Sequence, residues 1–256
     1  MSDMEIVAVS ALRDNYIWAI VSDALCVLVD PGEAAPALQF LQARQLHLAA
    51  ILLTHRHADH QGGVEELLTH YDAPVFGPAS PAMPLVTNPI IDEPPVNIEG
   101  FGQVIQVFKV PGHTEEHLAY LWQKHLFCGD TLFGGGCGRL LGGTAKQLFA
   151  SLQRLAGLPA DTRICCAHEY TLTNLAFAEA AEPNNPALTE RMAKCRRQRD
   201  EGRPTLPSSL EEELATNPFL RCTTPAVREA AQTSSGLLLE TPLDVFTALR
   251  TWKDHF

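Results

Sequence analysis

Short apolar runs separated by polar turns dominate the first half of the chain, whereas the second half spaces its apolar residues at helical intervals. Glu5–Leu12, Tyr16–Val21 and Leu25–Val29 read as three short strands, with Asp30-Pro31-Gly32 stopping the third, which predicts a meander. A helical pattern follows over Ala34–Leu46, then a strand over Ala49–Leu53 and a helix from Gly62 to His70. Further strands are predicted at Pro74–Phe76, Val104–Val110, Leu118–Trp122, Leu126–Cys128 and Arg163–Cys166, with a helix at Thr144–Leu155. The Pro-rich connection from Pro78 to Pro95 reads as an irregular loop.

From about Thr171 the strand-like runs vanish. Helices are predicted at Leu172–Ala181, Pro186–Gly202, Ser208–Ala215, Pro225–Thr233 and Pro242–Lys253, three of them opening on a proline, which suits a first turn that needs no N–H from that residue. The pattern predicts a layered α/β domain over residues 1–170 and a small helical domain over 171–256, with no internal repeat.

With 256 residues and 46% hydrophobic content, the chain is long enough to bury a substantial core without disulfides. Seven cysteines without a Cys-x-x-Cys pair fit reduced thiols used as small core residues, Cys128, Cys165 and Cys166 among them. Apolar runs stay under ten residues and the N-terminus lacks a basic stretch, so neither a membrane span nor a secretory signal is expected, and the expected location is cytoplasmic. A net charge of −11 argues against a general nucleic-acid binder, which needs a basic footprint. The dense basic cluster Arg191 to Arg199 is flanked by Glu190, Asp200 and Glu201 and reads as a solvated helix face.

Chemistry concentrates in Leu53-Thr54-His55-Arg56-His57-Ala58-Asp59-His60, where three imidazoles and a carboxylate occupy six positions directly after an apolar strand. His55 and His57 can point the same way from an extended turn while Asp59 and His60 lie further round it, so one loop can serve two adjacent cations. His113 in Val110-Pro111-Gly112-His113-Thr114, Asp130 in Phe127-Cys128-Gly129-Asp130-Thr131 and His168 after Arg163–Ala167 occupy similar strand-to-loop junctions. An α/β scaffold gathers a site at such junctions, outside one end of its sheet. His47, His70, His117, His125 and His255 lie in polar or helical contexts and are expected at the surface or behind the ligands.

These residues resemble the metallo-β-lactamase superfamily, and within it the chain most resembles the hydroxyacylglutathione hydrolases, or glyoxalase II. The motifs are Val29-Asp30-Pro31-Gly32, Thr54 to Gly63, Pro111-Gly112-His113-Thr114, Gly129 to Phe133, Gly136-Cys137-Gly138-Arg139, His168-Glu169-Tyr170-Thr171, Asn217-Pro218-Phe219-Leu220-Arg221 and Arg250-Thr251-Trp252-Lys253. The resemblance implies a four-layer αββα sandwich as catalytic domain and a glutathione-binding helical domain. It assigns His55, His57 and His113 to one metal and Asp59, His60 and His168 to another, with Asp130 bridging. Two divalent ions per chain are thus expected, zinc by default, with iron or manganese compatible with the same donors.

The implied reaction is hydrolysis of S-D-lactoylglutathione and related thioesters to glutathione and a 2-hydroxy acid, the second step of methylglyoxal detoxification. A hydroxide between the metals would be the nucleophile, with Asp59 and Asp130 the catalytic carboxylates. Arg139, Tyr170, Arg250 and Lys253 match positions that grip glutathione in the family. Two departures stand out: Leu141 replaces an aromatic residue common in relatives, and Glu116 replaces a usual glycine. Competing readings are a β-lactamase, a lactonase, a persulfide dioxygenase, a nuclease and an inactive metal- or glutathione-binding module. The small-molecule thioester is the only partner implied, and a monomer is the default.

Overall fold

The predicted meander forms: β1 (Met4–Ala11), β2 (Asn15–Ser22) and β3 (Leu25–Val29) pair antiparallel in sequence order. Every residue of β2 is buried, which is why its sequence, Asn-Tyr-Ile-Trp-Ala-Ile-Val-Ser, reads as a nearly continuous apolar run. The computed structural model from which these elements come describes residues 4–102 and 104–256.

Chain contacts define two units, the first Met1–Lys109 with Glu116–Gly129, the second Val110–Glu115 with Asp130–Phe256. In the first, the chain passes from β3 through α1 (Ala34–Ala43) into β4 (His47–Leu52), which lies parallel to β3. Two short helices follow, α2 (Ala58–Gln61) and α3 (Val64–His70), and then β5 (Val75–Pro78) and β6 (Asn88–Ile90) extend the sheet in parallel to six strands. The connection from Pro78 to Pro95 is therefore not wholly irregular. β6 is the last strand of the sheet, where Pro89 can sit without breaking a ladder on both sides. The side chains of α1 and α3 pack with Ile17, Leu28, Leu48, Ile51 and Val75 in one core. The antiparallel strands β7 (Gln106–Lys109), β8 (Leu118–Trp122) and β9 (His125–Gly129) complete this unit, with Val104 of the predicted strand left outside β7.

The second unit holds a tight hairpin, β10 (Leu132–Phe133) and β11 (Gly136–Cys137), that short glycine-rich sequence did not announce. α4 (Ala145–Ala156) begins at Thr144, whose hydroxyl accepts from the Gln147 N–H while Gln147 reaches back, a capping box. β12 (Arg163–Cys166) pairs with β13 (Ser208–Ser209), so Ser208 is strand and not the predicted first residue of a helix. Ser209 keeps an extended backbone while capping α7 (Leu210–Thr216), which starts after it. Around these lie α5 (Thr171–Ala181), α6 (Pro186–Asp200), a single 3-10 turn (Pro218–Leu220), α8 (Pro225–Ser235) and α9 (Pro242–Asp254), with proline at the start of α6, α8 and α9.

The basic stretch on α6 is not uniformly solvated, because Arg191 is buried and forms an ion pair with buried Glu213 and a 2.7 Å hydrogen bond to Thr216 Oγ1. Glu213 also accepts from the Gly135 N–H (2.8 Å), Ser208 Oγ (2.6 Å) and Asn217 Nδ2 (3.1 Å). Asn217 in turn donates to the carbonyls of Phe133 and Gly136, at 3.3 and 2.9 Å. The Asn217–Arg221 motif thus ties the helices to the β10–β11 hairpin. All seven cysteines are buried and none is in a disulfide. Burial pushes the thiols of Cys26 and Cys222 up to about 12 and that of Cys137 to about 11, so they stay protonated packing groups. Among the described residues no helix is long and apolar enough to cross a membrane.

Candidate metal centre

Because β3 and β4 are parallel neighbours, the residues that follow them leave the sheet at the same end, the carboxyl end of both strands. Asp30 follows β3 with a positive φ of 52°, and its carboxylate accepts the Thr54 N–H at 2.8 Å and the Thr54 O–H at 2.7 Å. The same carboxylate lies 2.9 Å from His60 Nδ1. Its partners fix the tautomers of the loop. Thr54 has given its only proton to Asp30, so the 3.0 Å contact between its oxygen and His55 Nδ1 is a donation from the ring N–H. His55 Nε2 then carries a lone pair, directed at His57 Nδ1 2.9 Å away. In the same way His60 donates Nδ1–H to Asp30, and its Nε2 faces Asp59 Oδ2 at 3.4 Å. In its neutral form this ring would set a lone pair opposite a carboxylate oxygen, two donor atoms that one cation can hold together.

His55 and His60 are buried, whereas His57 and Asp59 are partly open. Asn15 Nδ2 holds Asp59 from β2, at 3.1 Å from Oδ2 and 3.3 Å from its carbonyl. Gly32 leaves room for the loop: a Cβ there would lie 1.8 Å from the Asp59 carbonyl oxygen. His117, expected at the surface or behind the ligands, is fully buried, with its ring stacked on His55 at 4.6 Å and its Nδ1 2.9 Å from the Leu118 carbonyl.

In the second unit, His113 Nδ1 lies 2.7 Å from the carbonyl of Arg139, which can only accept, so Nδ1 carries a proton and Nε2 is the nitrogen suited to a metal. That Nε2 is 3.4 Å from Asp130 Oδ2, and His168 Nε2 is 3.4 Å from Asp130 Oδ1, placing the buried carboxylate between two imidazoles. A Cβ on Gly138 would come within 2.0 Å of the Asp130 carbonyl, so this approach of the hairpin requires glycine. Tyr170 stacks on His168 with ring centroids 4.7 Å apart and planes 4° from parallel, and Phe133 meets both rings edge-on.

Arg139, Arg250 and Lys253 gather around Asp254 in the same unit. Arg250 is buried and donates to the Cys137 carbonyl at 3.0 Å and to Asp254 at 2.9 Å, while exposed Arg139 lies 3.6 Å from the same carboxylate. Burial, then repulsion from Arg250 and Arg139, lowers the Lys253 ammonium below its ordinary value. Arg250 is therefore also a strut for β11, a role its place on an amphipathic helix did not reveal.

The structure thus brings His55, His57, Asp59 and His60 together in one unit and His113, Asp130 and His168 in the other, with Tyr170 beside His168. Asp30, quoted only within a motif, and Asn15 had no supporting role in the sequence reading, whereas His117 was among the residues expected at the surface or behind the ligands. Only Asp30 carried a signal: a carboxylate at a strand end just before the turn that meets the ligand loop. Imidazole and carboxylate donors whose remaining ring N–H groups are already spent on protein acceptors form clusters suited to metal ions.

Comparison with known proteins agrees over the whole chain. The family model of the metallo-beta-lactamase superfamily matches residues 12–168, and that of the hydroxyacylglutathione hydrolase C-terminus matches 169–256. Hydroxyacylglutathione hydrolase of Halorhodospira halophila is 53% identical over 96% of both chains, and that of Alkalilimnicola ehrlichii 51% identical over 98% of this chain and 99% of its own. Among solved structures, ETHE1 from Myxococcus xanthus shares the fold, with a TM-score of 0.65 over 98% of each chain at 24% identity. TTHA1623, solved in a di-iron-bound form, is 34% identical, with a TM-score of 0.51 over 64% of this chain and 91% of that one. The protein belongs to the hydroxyacylglutathione hydrolase family, within the metallo-β-lactamase superfamily.

Proposed function

We propose that the protein hydrolyses glutathione thioesters of 2-hydroxy acids, S-D-lactoylglutathione foremost, to glutathione and the free acid. The observation that carries this reading is near-full-length identity of about half to hydroxyacylglutathione hydrolases. The family-matched ligand set supports two cations, one at His55, His57 and His113 and one at Asp59, His60 and His168, with Asp130 shared. Zinc is the first choice, and the di-iron form of TTHA1623 keeps iron in view. When bound, such cations supply Lewis acidity and bring the pKa of water to about 7, so no serine or cysteine nucleophile is needed.

The chain's own residues then divide the work. Asp30 locks the tautomers of His60 and, through Thr54, of His55. Asp59, steadied by Asn15, would accept a hydrogen bond from the attacking water and orient it. The thiolate leaves with little acid assistance because a thiol's pKa is about 8.5. Glutathione carries two carboxylates, and the Arg139–Lys253 cluster supplies the local positive charge that an acidic protein must collect to hold them. Arg250 holds the β11 end of that cluster in place, and Tyr170 offers a ring beside His168. The active species is taken as a monomer located in the cytoplasm, and residues 171–256 as the glutathione-binding part.

Loss of thioester absorbance on incubation with S-D-lactoylglutathione, beside a β-lactam and a lactone, tests this reading. Turnover of the thioester alone supports it. Turnover of either alternative, with the thioester untouched, overturns it.

A further inference from the structure

Between the candidate ligands His55 and His57 the backbone belongs to no helix or strand, so the peptide groups of Arg56 need partners from elsewhere. Side chains supply them. The Arg56 N–H points to Glu116 Oε1 at 3.4 Å, and the Arg56 carbonyl accepts from Gln61 Nε2 at 2.5 Å. The Arg56 guanidinium also pairs with Glu116, Nη1 to Oε2 at 2.5 Å, with Glu116 largely buried and Arg56 about one-third exposed. His55 Nε2 meets His57 Nδ1 at 2.9 Å, whereas the Arg56 side chain between them goes to Glu116 instead. The carboxylate therefore grips both the main chain and the side chain of the residue between two ligands, and it cancels a positive charge that would otherwise stand next to a cation.

We propose that Arg56 and Glu116 form a positioning pair that sets the affinity of the cation bound by His55 and His57. This rests on the reading of those histidines as metal ligands. Neither residue touches the reacting atoms.

The test is a double-mutant cycle with Arg56→Gln, Glu116→Gln and the double variant, each stripped of metal and titrated with zinc ions alone, counting ions bound and their affinities. Loss of a group that orients a metal ligand typically lowers affinity by about 10- to 100-fold. Each single variant should weaken one ion of two by about that factor, the double variant should be no worse than the weaker single, and Glu116→Asp should recover part of the loss. Two ions held by every variant as tightly as by the wild type overturn the pair's role alone, as does equal weakening of both ions with a matching fall in thermal stability. A stripped wild-type protein that takes up no zinc overturns the pair's role together with the hydrolase reading.

Discussion

In the first unit four candidate ligands fall within six consecutive positions, 55 to 60, whereas in the second three candidates arrive from residues 113, 130 and 168. The first group is shaped by one turn and a few anchors, Asp30, Asn15 and Glu116, each touching the loop directly. The second depends on the β10–β11 hairpin, which is held through Glu213, Asn217 and Arg250 from helices far along the chain. Anchors of the loop act on tautomer and aim, so their loss should appear as metal affinity. Supports of the hairpin act on packing, so their loss should appear first as stability.

Removing metal tests what both regions share. Several kcal/mol of electrostatic stabilisation correspond to about a thousandfold or more in rate, so a chelated protein should lose thioester turnover by at least that factor and regain it with zinc. Retained activity in metal-free protein, checked by elemental analysis, would break the comparison at its root. Glu213→Ala should then be the most damaging single change to stability. It strands buried Arg191, a loss of about 3–5 kcal/mol by denaturant unfolding, with kcat of the folded fraction nearly unchanged. Asp30→Asn should do the reverse. It keeps the shape but weakens the hold on Thr54 and His60, so zinc affinity should fall by about 10- to 100-fold with a smaller change in stability.

Within the second unit, Lys253→Met should raise KM for the thioester by about tenfold, the equivalent of one charge-assisted hydrogen bond of about 1.5 kcal/mol, while kcat holds. The pH dependence follows from the lowered Lys253 pKa. Between that lowered value and the ordinary 10.5, the unfolded chain binds more protons than the folded one, so the Lys253 contribution to stability rises with pH across this window. Affinity for an S-alkylglutathione, a non-hydrolysable anion, should fall over the same window as the ammonium is lost, and in Lys253→Met it should be weak and flat. The smallest effect expected is that of Leu141→Tyr. Leu141 is half-exposed and its N–H donates to the His113 carbonyl at 2.9 Å, so a phenol there can add one hydrogen bond of about 1 kcal/mol and lower KM by about fivefold.

Most of the elements were legible because their signals are local. The apolar runs at β2, β4, β8 and β12 and the prolines opening α6, α8 and α9 carry their own periodicity and caps. What escaped was short or was decided by pairing. β6 forms because Phe76–Pro78 offers a free edge, and β13 because Arg163 and Ile164 offer another. Neither Asn88–Ile90 nor Ser208–Ser209 has an apolar pattern of its own. Arg191 misled for the same reason, since nothing near it in sequence says that Glu213 will be waiting for it in the interior.

The candidate ligands, the family and the acidic character of the chain were set by the sequence alone, because donor atoms, motif spacing and net charge are properties of residues before they fold. Which imidazole nitrogen is left with a lone pair, which glycine must admit a neighbouring carbonyl, and which of three clustered cations is exposed were decided only by tertiary structure. Those are matters of a few tenths of an ångström between groups that are remote in the chain, and hydrogen-bond direction and desolvation depend on that distance.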